Sequence, residues 1–164
     1  MIRNKISESG LVTLDLIDFC EKSPRKSIDL VDWLESGLII KEKSFKSKLE
    51  SLDQNSFKGA CVNIFCSSDV IVPTWAYMLI QAKIQSIAKE VFFGDQAAFE
   101  LYLFQKKINS TNFSEYKDKR VFVKSCKNKE LPVGAFSIIS TVLIPHVKSL
   151  FYGEPCSNVP LIKK

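Results

Sequence analysis

Five cysteines offer the most distinctive chemistry in this chain: Cys20, Cys61, Cys66, Cys126 and Cys156. Two of them occupy the same kind of place. Cys66 closes the strand-like run "ACVNIFC", and a short loop holding Ser67, Ser68 and Asp69 leads on to Pro73, where an apolar helical pattern begins. Cys126 closes "RVFVKSC", and Pro132 opens the next such pattern. A thiol just ahead of a helix N-terminus, with Lys127 or Lys129 near it in sequence, is placed where its thiolate is stabilised. Cys66, Cys126 and Cys156 gathered at one point would hold a soft metal, zinc or an iron–sulfur cluster, and three protein ligands leave a position open for substrate or a partner's ligand. The same arrangement would serve a redox or sulfur-carrying cysteine. The competing reading is that these thiols are small apolar fillers, because no C-x-x-C occurs. An odd cysteine count without an export signal argues against a disulfide framework.

The carboxylates divide in a similar way. Asp69 and Asp95 are the acids expected to support a bound group from behind its ligands, and with Glu154 they are the acid/base candidates of an enzyme. Asp69, Ser67 and Ser68 could equally cap the loop or the helix start. Trp75 walls a pocket or packs in the core. Cys61 lies inside a strand pattern and reads as core, and Cys20 reads as structural. His146 is the one histidine of the chain and reads as a capping or packing residue, so Ser-His-Asp and Cys-His catalysis have little to work with. There is no G-x-G-x-x-G and no G-x-x-x-x-G-K-[ST], which argues against a standard dehydrogenase or NTPase.

Positioning these groups is the task of a repeat. Residues 73–94 slide onto 132–153 without a gap, with identities at Pro73/Pro132, Ala76/Ala135, Ile80/Ile139, Lys89/Lys148, Phe92/Phe151 and Gly94/Gly153. Allowing one extra loop residue, Cys66 and Cys126 then fall into register. Each copy reads strand, loop, helix, strand, and Asp95 reads as the N-cap of a helix joining the copies, with Phe99, Leu103 and Ile108 on one face. The expected fold is α/β: a mostly parallel sheet from two repeated β-α-β units (about 59–95 and 119–154) joined by that helix. Such a sheet binds ligands at its carboxyl edge, where strand order reverses. Strands 60–65 and 120–125 are expected side by side there, which would bring Cys66, Cys126, Cys156, Asp95 and Glu154 to one rim.

The N-terminal subregion, 1–57, reads as an extra strand (11–19) and helices packed on that core, one of them "SIDLVDWLESG" with Ser27 as N-cap and another "KSFKSKLESLD". The whole of 1–164 is expected to be a single domain, with the repeats at 58–96 and 118–155. The apolar tail "NVPLIKK" packs on its own domain or on a second copy in a homo-oligomer. The net charge of +5 is spread in small clusters with acids mixed in, a solubilising surface more than a nucleic-acid footprint. The uncharged run 131–147 contains Pro132, Gly134 and Pro145 and falls short of a membrane span. The N-terminus lacks a continuous apolar stretch, so a cytoplasmic location is expected.

The blocks "DWLESGLIIKEKSF", "CSSDVIVPTWAYML", "FFGD" and "FYGEPCSNVPLIKK" resemble a bacterial family known as a domain of unknown function, nearly end to end. Its members often lie beside genes of the SUF iron–sulfur assembly system. The resemblance implies an accessory role near iron–sulfur or sulfur metabolism, with assembly proteins as partners, and carries no catalytic residues across. The alternatives are a non-catalytic interaction module with structural cysteines and a small-molecule enzyme at the same edge.

Overall fold

The computed structural model describes residues 10–125 and 131–164. In chain order its elements are β1 (Leu11–Asp15), a 3-10 turn (Leu16–Phe19), β2 (Arg25–Asp29), a 3-10 turn (Leu30–Trp33), α1 (Glu42–Glu50), a 3-10 turn (Gln54–Phe57), β3 (Cys61–Phe65), α2 (Thr74–Ile84), β4 (Glu90–Phe93), α3 (Gln96–Asn109), a 3-10 turn (Ser114–Tyr116), β5 (Arg120–Lys124), α4 (Gly134–Leu143), β6 (Ser149–Glu154) and β7 (Ser157–Lys163). The class is α/β with mainly parallel strands.

The strands form two sheets where one was expected. β2, β3 and β4 make a parallel sheet in that order, and β1, β5, β6 and β7 make the other, parallel except for β7. The chain divides accordingly into one unit of residues 22–99 and another of residues 1–21 with 100–164. The expected pairing of strands 60–65 and 120–125 is therefore corrected. β3 lies between β2 and β4, whereas β5 lies between β1 and β6. The reason sits in the N-terminal third. "LDLIDF" (14–19) and "IDLVDW" (28–33) are two versions of one strand-and-turn segment, and each supplies an edge strand to a different central strand.

Those two segments are built alike. Asp15 ends β1 and its Oδ1 accepts from the Ile17 amide at 3.1 Å; Asp29 ends β2 and its Oδ1 accepts from the Val31 amide at 3.0 Å. A short carboxylate that captures the amide two residues on turns the chain sharply into a single 3-10 turn. That is why 27–37 does not run as a helix: Asp29 takes the capping role expected of Ser27, which lies within β2. The turns then bury Leu16 with Phe19, and Leu30 with Trp33.

Downstream, the same backbone bonds recur at an offset of 59 residues. The Gly59 amide donates to Ile87 O and the Asp118 amide to His146 O, both at positive φ. Lys89 donates to Ala60 O as Lys148 does to Lys119 O. Asp53 caps the turn at Asn55 as Asn112 caps the turn at Ser114. In this register the partner of Cys66 is Ser125, not Cys126, because Cys61 pairs with Glu90 where Arg120 pairs with Ser149. Each unit has its own core. Phe45, Leu49, Val62, Ile64, Ala76, Ile80 and Ile84 lie in one; Phe104, Ile108, Val121, Val123, Ala135, Ile139 and Leu143 lie in the other. β7 has no counterpart in the 22–99 unit.

Candidate functional site

The carboxyl ends of β3 and β4 carry a candidate chemical site of the 22–99 unit. Cys66 follows β3 and is half-buried. Tyr77 reaches the same place from the first turns of α2, and Phe93, Gly94 and Asp95 follow from β4. With Phe65 they line a cavity of about 390 Å³. The Tyr77 and Phe93 rings form its wall, with centroids 5.5 Å apart. Gly94 takes φ +149°, and its amide donates to Ile64 O at 3.1 Å; a Cβ there would stand 2.8 Å from the Phe92 ring. That close approach and the left-handed backbone explain a glycine at this corner.

Asp95 caps α3 as expected, its Oδ1 accepting from the Ala98 amide at 2.8 Å. The carboxylate is exposed, so capping leaves it room to accept from a ligand as well. Partial burial raises the Tyr77 hydroxyl above its ordinary range, and negative charge on Cys66 raises it further. The thiol and the phenol therefore share one electrostatic environment. A pocket that joins a partly exposed thiol, a carboxylate and an aromatic wall can coordinate a soft ion or hold a thiol-bonded ligand.

A residue that was not singled out from sequence positions the thiol. Asp29 ends β2, next to β3, and accepts from the Ser67 amide at 3.0 Å while also holding the Val31 amide. Partial burial works to raise its pKa, but hydrogen bonds from the Ser67 hydroxyl and from the Val31 and Ser67 amides outweigh it, and the carboxyl stands below its usual range. Asp29 thus fastens the loop that begins one residue after Cys66. The signal available in the sequence was the paired "LDLIDF" and "IDLVDW".

The other expected site residues fall elsewhere. Asp69 is exposed in the loop and does not line the cavity. Cys126 lies outside the described residues. Cys156 is exposed in the turn between β6 and β7, in the other unit. Glu154 pairs with Lys124 at 2.8 Å. Cys61 is buried within β3, and the Cys20 thiol lies 3.8 Å from Leu16 O, a local contact that fits the structural reading. Trp75 packs edge-on against Phe45 with centroids 5.4 Å apart, as a core residue would. His146 is exposed, beside Lys117, Lys148 and Lys164 around a cavity of about 450 Å³. Among the described residues no three His, Cys, Asp or Glu side chains are grouped to hold a metal ion. No helix among them is long and apolar enough to cross a membrane.

The family model described as "Protein of unknown function (DUF2480)" matches residues 1–164. No curated protein and no solved structure matches the chain.

Proposed function

The chain belongs to the DUF2480 family of proteins of unknown function, and from that premise we propose an accessory, non-catalytic role: transient binding of a thiophilic ligand at Cys66. The ligand class is a soft metal ion, zinc or iron, or an iron–sulfur cluster in transit. Its expected partners are the cytoplasmic proteins that assemble or receive such centres. The observation that carries the reading is that Cys66 and Asp95 line one cavity, with the thiol partly exposed. One thiol and one carboxylate fall short of the three or four donors of a resident site. The remaining donors would come from a partner, and an incomplete set suits a ligand that is passed on.

The test is anaerobic purification, reconstitution with iron and sulfide or with zinc alone, and measurement of metal content with the visible spectrum. Cys66→Ser is expected to lose most of the bound metal, whereas Cys20→Ser keeps it. Equal metal content in wild type and Cys66→Ser would overturn the proposal. Parallel Cys126→Ser and Cys156→Ser proteins show whether those thiols take part.

A further inference from the structure

The unit formed by residues 1–21 and 100–164 differs from its counterpart by one element, and that element helps to line a further cavity. After β6 the chain reverses and adds β7 antiparallel, widening the sheet. The buried residues of α4, Ala135, Ile139 and Leu143, pack with the core beneath β5 and β6. β7 extends past this cover, with Val159 58% and Leu161 52% exposed. An irregularity between Leu150 and Phe151 skips Leu161 in the ladder and frees its side chain. The result is a trough of about 490 Å³ between α4 and the β6–β7 hairpin. Phe136 and Tyr152 form one end, their rings edge-to-face with centroids 5.9 Å apart. Val133, at 85% exposure, and Leu161 stand at the rim.

We propose that this trough binds a small neutral molecule with a compact apolar body and a single hydrogen-bonding head. Its volume falls in the range of small-ligand pockets. Among the described residues no charged side chain lines it, and the polar groups they supply are the hydroxyls of Ser137, Ser140 and Tyr152. The helix end beside it offers little to an anion, because the Ala135 and Phe136 amides already donate to Pro132 O and Val133 O at 2.8 and 3.1 Å. A neutral head that gives or takes one bond from a hydroxyl matches this lining, whereas a carboxylate would give up hydration without a counter-charge from any described lining residue. Strand addition by another chain is the weaker fit, since β7 carries Pro160 in mid-strand and ends in Lys163, with Lys164 after it. This site is separate from the Cys66 pocket, and neither proposal depends on the other.

The test titrates the full-length protein with 1-alkanols from hexanol to decanol, and with the matching alkanoates, by displacement of a fluorescent naphthylamine probe. Alkanol affinity is expected to rise roughly fourfold per added methylene until the trough is filled. The alkanoates are expected to bind at least tenfold more weakly. Ser137→Trp sits on an exposed position of α4 and fills the trough, so it should lower decanol affinity tenfold or more with an unchanged thermal midpoint. Leu161→Asp should do the same from the other wall. A flat dependence on chain length, equal binding of alkanoates, or full decanol binding by both variants would overturn the proposal. So would sedimentation showing that the wild-type chain dimerises through this face and that Ser137→Trp abolishes the dimer.

Discussion

At the scale of single residues, two ionisable groups tie local geometry to pH. Asp29 holds the turn after β2 and the loop after Cys66, and its folded pKa is lowered. A lowered carboxyl pKa contributes stability that is complete above the unfolded value near about pH 4 and is lost as pH falls through the folded value. Asp29→Asn should therefore be less stable than wild type at pH 6, and the gap should close below about pH 4. Urea midpoints of both proteins between these limits check this; a gap that is constant with pH would contradict the role given to the carboxylate. Because Asp29 also fixes the loop next to Cys66, the same variant should alter the rate at which a disulfide reagent modifies Cys66. Tyr116 gives the opposite sign. Partial burial, and after it the bond and charge of Glu115, push its hydroxyl up to about 12. Its contribution is whole below the ordinary value of about 10 and is lost between about 10 and 12. Tyr116→Phe removes this dependence, so the stability difference between the two proteins should shift across that alkaline window and be constant below it.

At the scale of elements, the four helices were legible because their apolar residues recur at helical spacing over nine or more residues. Asp95 shows how a local signal carries through: the expected cap is made, and it sits in the candidate site. Asp95→Ala should cost about 1 kcal/mol through the lost cap, whereas Asp95→Asn, nearly as good a cap, should cost little. Thermal unfolding of the two variants separates capping from ligand binding. If metal binding also falls in the Asn variant, whose fold is intact, the carboxylate serves the ligand directly. The short elements were not legible. "IDLVDW" has apolar spacing that a helix and a strand ending in a 3-10 turn both satisfy, and the choice is made by one carboxylate bond. β7 was hidden because Pro160 interrupts it and most of its residues are exposed, so no alternation marks a buried face.

At the scale of the molecule, the sequence carried the duplication in part and mislaid the pairing. The aligned segments 73–94 and 132–153 share backbone bonds, yet nothing in them says which edge strand each central strand recruits. That information lies in two nearly equivalent segments only 14 positions apart, and hydrophobic pattern cannot rank the alternatives. The outcome is a nested chain: residues 22–99 interrupt the unit made of 1–21 and 100–164. Nesting makes the two units unequal in folding. While 22–99 is folded, it holds Glu21 and Glu100 at a fixed separation. When it unfolds, β1 can pair with β5 only by closing a long flexible loop, at a cost on the order of 4 kcal/mol. Unfolding of the outer unit leaves the inner one continuous in sequence and carries no such penalty. Ile80 and Ile139 are the equivalent fully buried core residues of the two units, so Ile80→Ala and Ile139→Ala should each cost about 2–5 kcal/mol locally. Amide hydrogen exchange is expected to show the asymmetry. Ile80→Ala lowers protection in β3 and also in β5, whereas Ile139→Ala lowers it in β5 and leaves β3 nearly unchanged. Equal spread from both substitutions would mean that the two cores unfold as one cooperative unit whatever the order of the chain.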